Sequence, residues 1–354
     1  MKILTVIGAR PQFIKAAAFS HALKTNKIIK EVIVHTGQHY DLNMSKIFFD
    51  QLNIPRPAYR LDSGGKSHAA MTAYQLCELE NILSKESPDY LLLYGDTNST
   101  LSGALAASKL NIPVIHIEAG LRSFNNEMPE EINRIITDRL SKILFCPSEM
   151  AKDNLIKEGY EHFNSEIHVV GDIMYDTVKL FANNMKLPKP SYDSYVMCTI
   201  HRQENTNSKK RFKEIIKGLN KIAKYNKVIF PIHPRTQKII SDFKISLNKN
   251  ILIKKPMSYI DFINYLKYCE VMITDSGGIQ KESYFMRKNC LILREETEWN
   301  ELVENNFNSL CGFSHKTILE KFNNRSHLSS NFDKQFYGDG NTADKILKIL
   351  SSKF

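Results

Sequence analysis

No Cys-x-x-Cys pair occurs among the six cysteines, Cys77, Cys146, Cys198, Cys269, Cys290 and Cys311, which are spaced 69, 52, 71, 21 and 21 residues apart. A thiolate metal site of ordinary spacing is thereby excluded, and neither a metal nor a cofactor is expected. Most of these cysteines sit in apolar runs such as Leu144-Phe145-Cys146-Pro147, where a free thiol behaves as a small hydrophobe. That usage points to a reducing, cytoplasmic compartment. No stretch approaches eighteen consecutive apolar residues, which excludes a helical membrane span. The opening Met1-Lys2-Ile3-Leu4-Thr5-Val6-Ile7 reads as a buried strand closed by Gly8 and Arg10, too short and too soon charged for a secretory signal. Gly8 lacks the partners of a GxGxxG fingerprint, and GxxxxGK[ST] is absent, so the two common nucleotide loops are missing. No tract is low in complexity.

Lys and Arg exceed Asp and Glu by 48 to 38, a formal charge of +10 that suits an anionic ligand. The excess is dispersed, as at Lys209-Lys210-Arg211 and Lys254-Lys255, without the interleaved arginines and aromatics of a nucleic-acid groove. Nucleic-acid binding is therefore not expected. With 354 residues, 42% of them apolar, two domains are the default.

Short β-branched runs alternate with helical stretches, the pattern of parallel strands joined by crossover helices, and the fold class is α/β. Strands are expected at Ile3 to Ile7, Glu31 to His35, Tyr90 to Tyr94, Pro113 to Ile117, Lys142 to Cys146 and Ile167 to Val170. Helices are expected over Pro11 to Lys24, Ser67 to Ser84, Thr97 to Lys109 and Pro129 to Leu140, with Ser148 capping another. Lys186-Leu187-Pro188-Lys189-Pro190-Ser191 reads as a linker, after which strands restart at Tyr195 to Thr199, Lys227 to Pro231, Ile251 to Lys254, Val271 to Thr274 and Cys290 to Leu293. Thr342 to Leu350 is an amphipathic helix suited to packing back on the first unit. The expected division is a first domain over residues 1–177, a second over 178–335, and a returning C-terminal helix in 336–354.

Polar clusters at strand ends hold the candidate chemistry, and in open parallel sheets those ends line the ligand crevice. Asp96 follows one strand and Glu118 the next, while Glu130 and Glu131 open a helix. Carboxylates gathered in one cleft can differ in pKa, so that one acts as base while another carries a proton. The alternatives are that Asp96 caps the following helix and that Glu118 pairs with Arg122. Arg10 and Lys15 flank the first helix start, where their charges and the adjacent N–H groups would compensate a diphosphate; the alternative for Lys15 is a surface lysine. His201-Arg202 ends the first strand of the second half. Thr274-Asp275-Ser276-Gly277-Gly278 opens a helix whose glycines leave room for a phosphate, and Glu282, one turn deeper, could accept ribose hydroxyls. His39-Tyr40 and His233-Pro234-Arg235 divide between cleft lining and turn packing.

GARPQFIK at 8–15, YGDTNST at 94–100, HIEAGLRS at 116–123, MPEEINR at 128–134, HRQEN at 201–205, HPR at 233–235, TDSGGIQKE at 274–282 and YGDG at 337–340 resemble, in order and end to end, the non-hydrolysing UDP-N-acetylglucosamine 2-epimerases. The resemblance implies two Rossmann-like domains in the GT-B arrangement, a UDP-sugar bound between them, and a homodimer. It implies Asp96, Glu118 and Glu130 as catalytic acids, with His201 and Lys15 beside the reaction centre. Arg10, Ser276, Gly277, Gly278 and Glu282 match groups that hold diphosphate and ribose, and Phe262 falls where the family has an aromatic near uracil. Two departures stand out. Gln38-His39-Tyr40-Asp41-Leu42 replaces a Gln-His-Arg-Glu-Met segment of an activating second UDP-sugar site, and Trp299 stands where those members carry an Arg near the substrate. The Thr297-Glu298-Trp299 pattern is similar to the branch acting on UDP-2,3-diacetamido-2,3-dideoxyglucuronate, whose carboxylate would need a cation or amide partner from His39, Arg202 or Arg235.

The implied activity is interconversion of UDP-N-acetylglucosamine and UDP-N-acetylmannosamine for surface polysaccharide precursors. The alternatives are the diacetamido uronate 2-epimerase, a GT-B glycosyltransferase, and a non-catalytic nucleotide-sugar sensor. Because the C2 hydrogen of the sugar is not acidic, loss of UDP from C1 must accompany its removal, and readdition with protonation from the opposite face gives the epimer.

Overall fold

A computed structural model describes residues 1–38, 49, 51–184, 187–232 and 234–353, of which 183, 184, 234 and 235 by backbone alone. The chain divides into two compact units, Met1–Leu180 with Gln335–Phe354, and Phe181–Lys334. In the first unit, β1 (Lys2–Ile7), β2 (Lys30–His35), β3 (Tyr59–Arg60), β4 (Tyr90–Tyr94), β5 (Val114–Ile117), β6 (Ile143–Cys146) and β7 (Glu166–Val169) form, among the described residues, a parallel sheet ordered β3-β2-β1-β4-β5-β6-β7. The order reverses between β1 and β4, the point where open α/β sheets place ligands. Strands β4, β5 and β6 are almost wholly buried, which is why they read as continuous apolar runs without alternation.

The second unit repeats the plan. Strands β8 (Val196–Thr199), β9 (Val228–Pro231), β10 (Ile251–Lys254), β11 (Met272–Thr274), β12 (Cys290–Ile292) and β13 (Asn308–Leu310) are ordered β10-β9-β8-β11-β12-β13, all parallel, with the reversal between β8 and β11. Its core gathers Val196, Phe212, Leu219, Phe230, Ile273 and Leu291; that of the first unit gathers Leu4, Val34, Leu83, Leu91, Leu93 and Ala107.

Several helices begin where a short side-chain acceptor stands. Ser67, Thr97 and Ser148 accept from the N–H groups of Ala70, Thr100 and Ala151, each at 3.3 Å. The expected helix boundaries shift by one or two residues, as in His68–Glu86 and Arg10–Leu23.

The C-terminal helix, Thr342–Ser351, belongs to the first unit and packs on the Arg10–Leu23 helix. The backbone leading into it passes against Gly171, where a Cβ would lie 2.9 Å from the Tyr337 carbonyl; Gly171 also has φ +96°. Asp176 Oδ1 accepts from Ala343 N at 2.8 Å, and Lys179 Nζ donates to the Asp339 carbonyl at 2.9 Å. Among the described residues no helix is long and apolar enough to cross a membrane.

Candidate active site

Strand tips β4 and β5 of the first unit present Gly95-Asp96 and Glu118. Glu118 is held at φ +77°, a left-handed conformation unusual for a side chain of its size and a form of local strain found at functional positions. Its turn is fixed by the Glu118 and Ala119 N–H groups, which donate to the Phe145 carbonyl at 3.0 and 3.1 Å. The Glu118 carboxylate forms an ion pair with Lys15, and both side chains are buried, at 9% and 8% exposure. A Cβ on Gly95 would lie 3.0 Å from Glu118 Oε2 and 3.3 Å from Lys15 Nζ, so glycine at φ +63° is what lets this pair sit against the β4 tip.

Asp96 pairs with Arg134, whose Nη1 also donates to Glu131 Oε2 at 2.5 Å. Thr97, not Asp96, caps the next helix. Asn133 Nδ2 donates to the Asp96 carbonyl at 2.9 Å, so the helix Pro129–Leu140 fixes both ends of this residue. Glu131 is buried and accepts from the backbone N–H groups of Ser123 and Phe124, with the Ser123 Oε2 bond at 2.9 Å. Its neighbour Glu130 is exposed in the first turn of the same helix.

Arg122 does not pair with Glu118. It meets Asp138 Oδ2 through Nη1 at 2.7 Å and grips Glu158 with two bonds of 2.7 and 2.8 Å. Asp138 is fully buried; burial alone would raise its pKa, but the His116 hydrogen bond and the charges of His116 and Arg122 hold it below the ordinary carboxylate value. His116 completes this group, with Nδ1 2.7 Å from Asp138 Oδ1 and Nε2 2.8 Å from the Gly95 carbonyl.

The first helix start differs from expectation. The Gly8 and Ala9 N–H groups donate to Gln12 Oε1 at 2.8 and 3.1 Å, so they serve the turn rather than a ligand. Gln12 Nε2 in turn donates to the Tyr94 carbonyl and Thr100 Oγ1, both at 3.0 Å, tying β1 to β4. Lys15 is buried at 6% exposure and is not a surface lysine.

In the second unit Asp275, fully buried, accepts from His201 N at 3.1 Å, Arg202 N at 3.0 Å and Asn205 Nδ2 at 3.1 Å, and His201 Nδ1 lies 3.4 Å from Oδ1. The HRQEN segment is thereby wrapped around one carboxylate, and the His201 ring remains half exposed. After β11, Ser276 precedes the helix Gly277–Phe285. A Cβ on Gly278 would meet nothing within 4 Å, so this turn faces open space. Beneath it, Trp299 Nε1 donates to the Gly277 carbonyl at 3.0 Å, Lys281 Nζ lies 3.8 Å from the indole centroid, and Arg294 pairs with Glu298 at 2.9 and 3.0 Å. Burial would raise the Glu298 pKa, but Arg294, with Arg202 3.7 Å away, keeps it below the ordinary value.

The family model for UDP-N-acetylglucosamine 2-epimerases matches residues 21–351. The chain belongs to this family. A UDP-2,3-diacetamido-2,3-dideoxy-D-glucuronate 2-epimerase of Pseudomonas aeruginosa is 47% identical over 99% of both chains. The crystal structure of Methanocaldococcus jannaschii UDP-GlcNAc 2-epimerase in complex with UDP-GlcNAc and UDP is 40% identical, with a TM-score of 0.91 over 99% of this chain and 100% of that one. The UDP-GlcNAc 2-epimerase of Neisseria meningitidis bound to UDP-GlcNAc is 29% identical, with a TM-score of 0.90 over 99% and 100%. The fold class is that of these GT-B proteins, and the chain is a UDP-sugar 2-epimerase, an isomerase acting on carbohydrates.

Of the residues expected in the epimerase site, Lys15, Glu118 and Asp96 gather at the β4 and β5 tips of the first unit, and in the second His201 and Arg202 share the Asp275 carboxylate, which the Ser276–Gly278 turn directly follows. Arg10 is half-buried at its helix start. Phe262, Glu282 and Trp299 are buried, at 5%, 4% and 5% exposure, so Trp299 supports the glycine turn from behind instead of lining its open side. His39 and His233, and the side chain of Arg235, lie outside the described residues. Sequence reasoning missed the roles of Asp138, Arg134 and Asn133. Their spacing of one and four residues along the helix that Glu130 opens was the available signal. Among the described residues no group of three or more His, Cys, Asp or Glu side chains is placed to hold a metal ion.

Proposed function

We propose that this epimerase inverts C2 of a UDP-activated 2-acetamido sugar by eliminating UDP and adding it back. The C1–O bond breaks with its electron pair leaving on the UDP oxygen, a carboxylate takes the C2 proton, and a 2-acetamidoglucal-type alkene remains. UDP then re-forms the C1–O bond while a proton reaches C2 from the opposite face. The observation that carries this reading is the pair of carboxylates beside Gly95, Glu118 held by Lys15 and Asp96 held by Arg134. Two cation-bound acids at adjacent strand tips supply the separate donor and acceptor that inversion requires, since one group cannot serve both faces of the ring.

Asp96 and Glu118 are assigned to proton transfer around C2, Glu130 to the partner role, and Lys15 to fixing Glu118. His201 and Arg10 stabilise the departing phosphate oxygen, and the Ser276-Gly277-Gly278 turn holds the diphosphate at a helix N-terminus. Glu282 is assigned to ribose and Phe262 to the uracil side. The enzyme is assigned to the cytoplasm as a homodimer.

The first substrate is UDP-2,3-diacetamido-2,3-dideoxyglucuronate, which reverses the order given by the family resemblance as a whole. It is supported by the 47% identity to the Pseudomonas enzyme and by the Thr297-Glu298-Trp299 segment. UDP-N-acetylglucosamine is the second reading, supported by the 41% identity to the Methanocaldococcus jannaschii enzyme over 99% of both chains. Incubation with each UDP-sugar, followed by NMR of the anomeric region, separates them. The uronate is expected to give its manno epimer with kcat/KM at least about tenfold above that of UDP-N-acetylglucosamine. The reverse ratio assigns the second substrate, and no epimer from either sugar overturns the reading.

A further inference from the structure

The ring of His116 is fully buried, and both of its nitrogens face groups that accept. A backbone carbonyl can only accept, so Nε2 must donate to Gly95. Asp138 Oδ2 already receives the Gly120 N–H at 3.1 Å and Arg122 Nη1 at 2.7 Å, the environment of an ionised carboxylate, so Nδ1 must donate to Oδ1. An imidazole donating at both nitrogens is an imidazolium. We propose that His116 is a doubly protonated positioning residue, which fixes the Gly95-Asp96 peptide against β5 two residues before Glu118.

The charges around it balance. His116 and Arg122 carry two positive charges, Asp138 and Glu158 two negative, and the paired Lys15 and Glu118 lie on the other side of Gly95. Cys146 and Tyr160, which also feel Asp138, have their pKa values raised, first by burial and then by its charge, so they stay neutral. A cation removed from water is strongly disfavoured unless paired and hydrogen-bonded, and Asp138 meets both conditions. The arrangement holds the β4 tip from behind through a carbonyl, so it touches no reacting atom. The Gly95 N–H meanwhile donates to the Ile117 carbonyl at 3.0 Å, so both sides of this glycine are fixed to β5.

This inference rests on the proposed roles of Asp96 and Glu118, but its first test does not. In the full-length protein labelled with 15N-histidine, long-range nitrogen–proton correlation spectra are expected to show a His116 ring protonated at both nitrogens. A spectrum with one bare nitrogen overturns the proposal whether or not the protein is an epimerase. The second test is His116→Gln, which retains a donor for Gly95 but removes the charge. It is expected to lower kcat on the order of 30-fold with KM changed less than about twofold. A variant kcat equal to that of an active wild-type enzyme contradicts the positioning role, and absence of wild-type turnover counts only against the proposed function.

Discussion

The two units share one sheet plan and each buries an aspartate beside its candidate residues, Asp138 in the helix after β5 and Asp275 after β11, yet they use it differently. In the first unit Asp138 binds two cationic side chains, His116 and Arg122, and the neighbouring carboxylates Glu118 and Asp96 each have a cation of their own. In the second, Asp275 accepts chiefly from backbone N–H groups and Asn205, and the adjacent turn ends in a glycine with open space around it. Side-chain charge paired at short range suits proton transfer, because each carboxylate is held in position and in a defined electrostatic setting. Backbone dipoles and glycine suit a diphosphate, whose charge is spread over several oxygens. With the proposed roles, similar topology serves two kinds of chemistry, and the difference lies in what surrounds each aspartate.

The largest effect that separates the units should come from Asp96→Asn. Epimerisation is expected to fall by roughly 10³-fold, while UDP affinity measured by calorimetry stays within about threefold of the parent. A matching loss of UDP binding would erase the division of labour. Next comes Lys15→Met, which leaves Glu118 buried without its cation. It is expected to cost about 3 kcal/mol in denaturant unfolding and roughly 10²-fold in turnover. If stability is unaffected, the pair is more solvated than its 8% and 9% exposures imply. In the second unit Gly278→Ala should leave stability within about 0.5 kcal/mol, because the new methyl meets no protein atom, but weaken UDP roughly tenfold by crowding the phosphate. Wild-type affinity in that variant would move the diphosphate elsewhere.

The smallest expected difference concerns acid. Asp138 and Glu298 have folded pKa values below the ordinary 3.8 and 4.5, so the stability each contributes is present above those values and is lost as pH falls through the folded ones. Glu31 and Asp176, in the first unit, have pKa values raised above 4.5 and 3.8, chiefly by burial. The folded form takes up their protons first, so their contribution rises as pH falls and offsets the loss at Asp138. Glu86, Glu166 and Asp339 of the first unit and Glu214 of the second are also lowered by their partners but lie at the surface, where solvent screens them, so hydrogen exchange between about pH 6 and about pH 3 is expected to show the second unit losing protection first. Earlier loss in the first unit would reverse the assignment of these carboxyls.

Much of the architecture was legible because buried parallel strands write themselves as unbroken apolar runs. Tyr90–Tyr94 matches its expectation at both ends, and Val196–Thr199 and Met272–Thr274 begin one residue late. The edge strands Tyr59–Arg60 and Asn308–Leu310 were not foreseen, since two or three partly exposed residues carry no pattern. The short helix Gln203–Thr206 was also hidden, because it exists to bring Asn205 and two backbone N–H groups onto Asp275. In the site, Asp96, Glu118 and the Gly277-Gly278 turn stood out at strand tips. Asp138 and Arg134 did not, because within a helix an acidic or basic residue looks like a solvated face until tertiary contacts bury it. Gln12 misled for a related reason: its amide takes the N–H groups that a helix start otherwise offers to an anion.

The most direct measurement is the mass of the recovered UDP-sugar after incubation of the enzyme in deuterium oxide. Elimination and readdition predict one deuterium at C2 in both epimers, absent when Asp96 is Asn. Epimerisation that proceeds with C2 keeping its original hydrogen would contradict the proton chemistry assigned to Asp96 and Glu118.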